Sequence, residues 1–132
     1  MDTFLLRKTV NKLRPDSILS FGEYWNSLVL LALIGTNYPV YISDRCNPEK
    51  QFGKFHSKLR KWIYPRAAGI IAQTKIASKI YLKETGHKNI KVIGNPIKVY
   101  DGLPYDQRES VILSVGRLIK SKNFDRLIRI FK

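Results

Sequence analysis

Short, mostly apolar runs that alternate with stretches of helical periodicity constrain this chain more than any other feature. Ser17–Phe21 (SILSF), Val40–Ser43 (VYIS), Gly69–Ala72 (GIIA) and Ile90–Ile93 (IKVI) read as strands. Between them, Tyr24–Ile34 is apolar on most sides, as a helix packed deep against a sheet should be, and Gly35 is placed to cap it. Lys54–Tyr64 sets Phe55, Leu59, Trp62 and Ile63 on one face and Lys54, Lys58 and Lys61 on another, with Pro65 closing it. Lys75–Thr85 reads as a helix ended by Gly86. Ahead of the first strand, Leu6, Val10 and Leu13 predict an opening helix that Arg14-Pro15-Asp16 stops. Such alternation predicts the α/β class with a parallel sheet. Continuous apolar strands further predict a sheet buried on both faces.

The pattern breaks at Asn95-Pro96, which reads as a structural turn. Residues 97–109 are turn-rich and read as a linker between 1–96 and 110–132. Beyond it, Val111–Val115 (VILSV) predicts a fifth strand, and Phe124, Leu127, Ile128 and Phe131 mark a closing helix. One strand and one helix cannot bury their own apolar surface. The last segment therefore either extends the preceding sheet or opens a second domain.

A formal net charge of +14 on 132 residues favours anionic partners: nucleic acid, a membrane surface or nucleotide phosphates. From Lys50 to Lys83 there are nine Lys or Arg and no Asp or Glu. The basic, aromatic stretch Lys54–Tyr64 suits an anionic membrane surface, or else packs its aromatic face into the sheet. No helix-turn-helix, zinc pattern or RNA-binding signature is present, which argues against specific nucleic-acid recognition.

The single cysteine, Cys46, permits neither an intrachain disulfide nor a cysteine zinc cluster, and reads as a small loop residue. His56 and His87 lie on basic segments, read as exposed, and suggest no metal site. The longest apolar run, Leu28–Ile34, has seven residues, far short of the ~20 needed to cross a bilayer. Met1–Lys12 lacks the apolar core of a signal peptide. A soluble or peripheral, cytoplasmic protein is the expectation.

Chemistry is best placed on Val111–Phe131 (VILSVGRLIKSKNFDRLIRIF). In open parallel sheets ligands gather at the carboxyl ends of strands, near helix N-termini that attract phosphate. Gly116 lets a ligand approach the backbone, Arg117 can fork onto diphosphate oxygens, and Lys122 adds a second cation. The alternative is an ordinary solvated basic loop. Asp44 and Arg45, at the carboxyl end of a strand, suit either acceptor contact or loop hydrogen bonding. Glu23 and Asn26 either face the same cleft or cap a helix.

The string SVGRLIKSKNFDRLI resembles the opening of the donor-binding domain in retaining GT-B glycosyltransferases of family 4. Upstream, PDSILSF, YPVYISDRCNP, YPRAAGIIAQT and NIKVIGNPI resemble, in order, the later half of that family's acceptor-side domain and its exit into the linker. The resemblance implies a parallel-sheet, Rossmann-like half domain of a GT-B fold over 1–96, followed by the first β-α unit of the nucleotide-sugar domain. It implies transfer from a nucleotide diphosphate sugar to a glycan or lipid-linked acceptor, with anomeric retention and without a metal. Arg117 and Lys122 match the family's diphosphate-holding pair in order and spacing. The family's glycine-rich loop would precede residue 1 and its paired glutamates would follow Lys132. The expectation is accordingly an internal fragment, inactive alone. Two rival readings are a basic nucleic-acid-binding α/β protein and a gene remnant without present function.

Overall fold

Local signals start and stop the elements where the chain reverses. In the computed structural model, which describes residues 2–45, 53–99, 102 and 104–131, the Asp2 carboxylate accepts the Phe4 N–H at 2.9 Å and opens helix α1 (Thr3–Leu13). Arg14, left-handed at φ 49°, closes it by donating to the Val10 carbonyl. Strand β1 (Ile18–Phe21) follows, then α2 (Glu23–Ala32), β2 (Val40–Ser43) and α3 (Lys54–Ile63). Pro65 does not stop the chain turning. It sits in a single 3₁₀ turn, Tyr64–Arg66, that leads to β3 (Gly69–Ala72). Thr74 caps α4 (Lys75–Thr85) through the Ala77 N–H, and Gly86 at φ 67° ends it before β4 (Ile90–Val92). Cys46 with its neighbours Asn47-Pro48, and Asp101 in the expected linker, lie outside the described residues.

The strands form one all-parallel sheet in the order β1-β2-β3-β4, as the α/β reading requires. Pairing sets Ile42 beside Ile70, and Ile70 beside Ile90. A sheet that advances in one direction through right-handed crossovers carries its connecting helices on one face. Burial agrees: Val40, Ile42, Ile70 and Ala72 are covered and join Leu30, Leu33, Ile63 and Val10 in the core. The opposite face is not covered within the described residues. Leu19, Phe21 and Tyr41, which point there by strand alternation, are exposed. The expectation of burial on both faces is therefore corrected, and the apolar strands alternate in environment even though they do not alternate in hydropathy.

Packing divides the chain into Met1–Ile97 and Lys98–Lys132. The second unit holds two 3₁₀ turns, Tyr105–Gln107 and Lys120–Lys122, and helix α5 (Phe124–Ile130). The fifth strand is absent: Val111–Val115 pairs with no strand among the described residues. Its hydropathy is right for a strand, but a strand exists only through ladder bonds to a neighbour. Val111, Ile112, Leu113 and Val115 are all exposed.

Candidate functional site

The carboxyl edge of the sheet, where ligands of open parallel sheets collect, is built by the β1–α2 turn and the end of β2. Gly22, at φ 88°, makes that turn, and its N–H donates to the Ser43 carbonyl at 2.9 Å, joining the two strand ends. A left-handed φ of this size is readily available only to glycine. The turn delivers Glu23 and Asn26 to the first turns of α2, both buried.

Around them lies a buried polar network that draws on α2, β2, α3 and α4. The Asn26 amide donates to Asp44 Oδ1 at 2.6 Å and to the Ser43 carbonyl at 3.2 Å. The Tyr64 hydroxyl donates to the same carboxylate, 2.9 Å from Oδ2, and Tyr81 bonds it as well. Arg60, also buried, reaches Glu23 Oε1 at 2.5 Å and pairs with Glu84 on α4. His56 Nδ1 lies 4.0 Å from Glu23, and the ring stacks on Tyr24 with centroids 5.9 Å apart.

Three carboxyl groups share one guanidinium here, and the electrostatics follow. Burial pushes the Glu23 carboxyl up to about 7, outweighing the pull of Arg60. Burial also raises Asp44, although Tyr64 and Asn26 hydrogen bonds oppose the rise. The Tyr64 and Tyr81 hydroxyls are driven well above the ordinary phenol range by burial and by Asp44. Burial and Arg60 lower His56. Glu23 thus takes up a proton near neutrality, which relieves the crowding of negative charge around Arg60. Among the described residues no three His, Cys, Asp or Glu converge as metal ligands.

The structure separates the neighbours Asp44 and Arg45. Asp44 turns inward, to Asn26, Tyr64 and Tyr81. Arg45 is exposed, with its guanidinium 5.0 Å from the centre of the Phe21 ring on the uncovered sheet face. Glu23 and Asn26 are brought to Asp44, so neither merely caps a helix. Two expectations are corrected. His56 is largely enclosed. His87 is buried, with Nδ1 accepting the Asn89 N–H and Nε2 donating to the Ala67 carbonyl at 2.8 Å.

Arg60, Tyr64, Tyr81 and Glu84 were not singled out from sequence. A signal for Arg60 existed: His56, Leu59, Arg60 and Ile63 share a helix face, so an arginine was bound to be carried inward with the apolar residues. Its partner Glu23 is 37 residues away and no local pattern links them. The aromatic face of α3 also splits. Leu59 and Ile63 pack inward, whereas Phe55 and Trp62 are exposed beside Lys58 and Lys61.

In the second unit, Gly116 packs against its own loop. A Cβ there would lie 3.4 Å from Phe124 Cζ and 3.7 Å from Lys122 Cδ. Gly116 and Lys122 are thus brought together, and Gly116, Arg117 and Lys122 are all exposed. Lys122 ends the 3₁₀ turn just before α5.

No protein-family model matches the chain. Over 123 residues, or 91% of the chain, it is 29% identical to a glycosyltransferase of Campylobacter jejuni, the GalNAc-alpha-(1->4)-GalNAc-alpha-(1->3)-diNAcBac-PP-undecaprenol alpha-1,4-N-acetyl-D-galactosaminyltransferase. The chain spans about a third (34%) of that curated relative's length. No helix among the described residues is long and apolar enough to cross a membrane.

Proposed function

We propose that this chain is part of a glycosyltransferase that moves a sugar from a nucleotide diphosphate sugar to a glycan or lipid-linked acceptor, with retention at the anomeric carbon. The observation that carries the reading is the similarity to the Campylobacter enzyme over 91% of the chain. That enzyme's name specifies an undecaprenol-linked acceptor. A lipid-linked acceptor would fit the acid-free basic stretch Lys50–Lys83, and the reading puts the protein in the cytoplasm, peripheral at the inner face of the membrane, with α3 toward the lipid.

In this reading Gly116, Arg117 and Lys122 hold the donor diphosphate. As the glycosidic bond breaks, the departing diphosphate gains negative charge. Two cations fixed beside it stabilise that charge more in the transition state than in the ground state, the condition for acceleration. The same cations do the work that a divalent ion would otherwise do, so the reading includes no metal. Arg45 is the acceptor-side cation, and its neighbour Asp44, anchored to Asn26 and Tyr64, acts from beneath by fixing the end of β2. Among the described residues, Lys98–Lys132 contributes no buried residue of its own. We therefore assign turnover to the protein in which both cleft walls are packed, and none to these 132 residues alone.

The test is Arg117→Ala in a full-length transferase carrying this segment. Turnover and UDP or GDP affinity should fall by the worth of a charged hydrogen bond, about 1.5–3 kcal/mol. Unchanged turnover and affinity would remove the assignment.

A further inference from the structure

Between α2 and α3 runs a cavity of about 510 Å³, lined by Tyr24, Ser27, Leu28, Phe55, His56 and Leu59, with Gly53 at one end. Its size falls among small-molecule pockets, but its chemistry is one-sided. Tyr24, Leu28, Phe55 and Leu59 supply apolar walls. The Ser27 hydroxyl donates to the Glu23 carbonyl, and the His56 ring stacks on Tyr24. Burial lowers His56, which keeps a charge out of the groove. Glu23 is turned away to Arg60. Among the described lining residues none presents a charge to receive a polar head, so the occupant is apolar along its length inside the groove.

The rim has the opposite character. Tyr24, Trp25, Phe55 and Trp62 are 55%, 48%, 82% and 50% exposed, an aromatic collar of the kind that sits at head-group level. Lys58, Lys61 and Arg66 stand beside it, Arg66 with its guanidinium 4.1 Å from the Trp62 ring centre. No acidic residue occurs between Lys50 and Lys83 to offset them. An apolar slot ringed by aromatics and cations is complementary to a molecule with a hydrocarbon tail and an anionic head. We propose that the α2–α3 groove takes up one hydrocarbon chain of an anionic lipid, while Lys58, Lys61 and Arg66 meet its phosphate in the head-group layer. The proposal builds on the membrane-surface part of the function above, but goes further in naming a chain-binding slot.

The two tryptophans serve as reporters: Trp25 meets the groove-lining Tyr24 edge-on with ring centroids 5.4 Å apart, and Trp62 lies on α3 one turn beyond the groove-lining Leu59. The full chain is titrated with a short alkyl phosphate below its micelle concentration, and separately with inorganic phosphate. Alkyl phosphate should shift Trp emission saturably, and inorganic phosphate should not. Leu28→Glu, which adds a charge to the wall without touching the core cluster, should weaken that binding at least tenfold, with the circular dichroism spectrum unchanged. Lys58→Glu with Lys61→Glu, which reverses two of the charges that meet the phosphate, should lower both alkyl-phosphate binding and adsorption to phosphatidylglycerol vesicles about tenfold. As an independent arm, Trp62→Phe leaves Trp25 as sole reporter, and bromines on the acyl chains of such vesicles should quench it. Equal affinity in wild type and folded Leu28→Glu, unquenched Trp25, or displacement of the alkyl phosphate by an oligonucleotide would overturn the slot. If Leu28→Glu does not fold, the quenching arm decides alone. A full-length transferase that keeps its turnover while these arms fail would discard the slot and leave the transferase reading standing.

Discussion

Val40–Ser43 and Val111–Val115 are close in composition, yet the first is the paired strand β2 and the second pairs with nothing among the described residues. The difference lies in their surroundings. Val40 and Ile42 meet Leu30, Leu33, Ile63 and Ile70 in one core. Val111, Ile112, Leu113 and Val115 are 65%, 61%, 82% and 87% exposed, so the apolar content that builds structure in Met1–Ile97 is unspent in Lys98–Lys132. The same contrast holds for charge. In the first unit Arg60 is buried between Glu23 and Glu84, while in the second Arg129 pairs with Asp125 on an exposed helix face. Exposed i, i+4 pairs contribute only tenths of a kcal/mol. One unit carries a preformed, closed framework, and the other a loop whose order depends on what packs against it.

The largest effect expected from this contrast is at Arg60. Arg60→Ala strands Glu23 without its buried cation, and loss of one member of a buried pair costs about 3–5 kcal/mol. Urea unfolding followed by far-ultraviolet circular dichroism measures it. A loss below ~1 kcal/mol would mean that the network is solvated.

A second effect is a pH dependence confined to the first unit. Native Glu23 holds its proton up to about pH 7, whereas an ordinary glutamate loses it near 4.5. Between those values the folded state binds a proton that the unfolded state has released, so stability falls as pH rises, and levels off above. Asp44, also raised, acts in the same direction from its ordinary value of 3.8 upward. His56 is lowered and acts oppositely: below its ordinary 6.5 the unfolded chain takes up the proton first, and stability falls as pH drops. The Glu23 contribution dominates because its displacement is the larger. Thermal midpoints should therefore decline from about pH 5 to 7, by the equivalent of on the order of 2 kcal/mol. Glu23→Gln should flatten the decline or reverse it.

The smallest effect sharpens the comparison from the other side. Leu113→Asn should change stability by less than ~0.5 kcal/mol, as surface substitutions do. A loss as large as a core truncation would show that this leucine is packed.

How much was legible in the sequence divides along the same boundary. In the first unit, strand and helix positions follow from apolar runs and from Gly86 as the stop of α4, all of them local, whereas the Thr74 cap and the Gly22 turn were not singled out. The network was less legible, because hydrogen bonds among residues 17 to 41 apart leave no periodic trace. Hydropathy marked His87 as exposed because its sequence neighbours are basic. Its burial comes from the carbonyl of Ala67, brought over by β3. Phe55 and Trp62 misled in the other direction: spacing put them with Leu59 and Ile63, but the stripe is wider than the contact it makes. Val111–Val115 has the hydropathy of a strand, and sequence holds no information on a partner that is not beside it.

Residue-resolved hydrogen exchange on the purified 132-residue chain tests the contrast most directly. Amides of Ile42, Ile70 and Ile71, bonded within the sheet, should open only with global unfolding. Those of Val111–Val115 and Gly116 should exchange nearly as fast as in a free peptide. Comparable protection in both sets, in a monomer, would contradict the account: Val111–Gly116 would then be as firmly packed as the sheet.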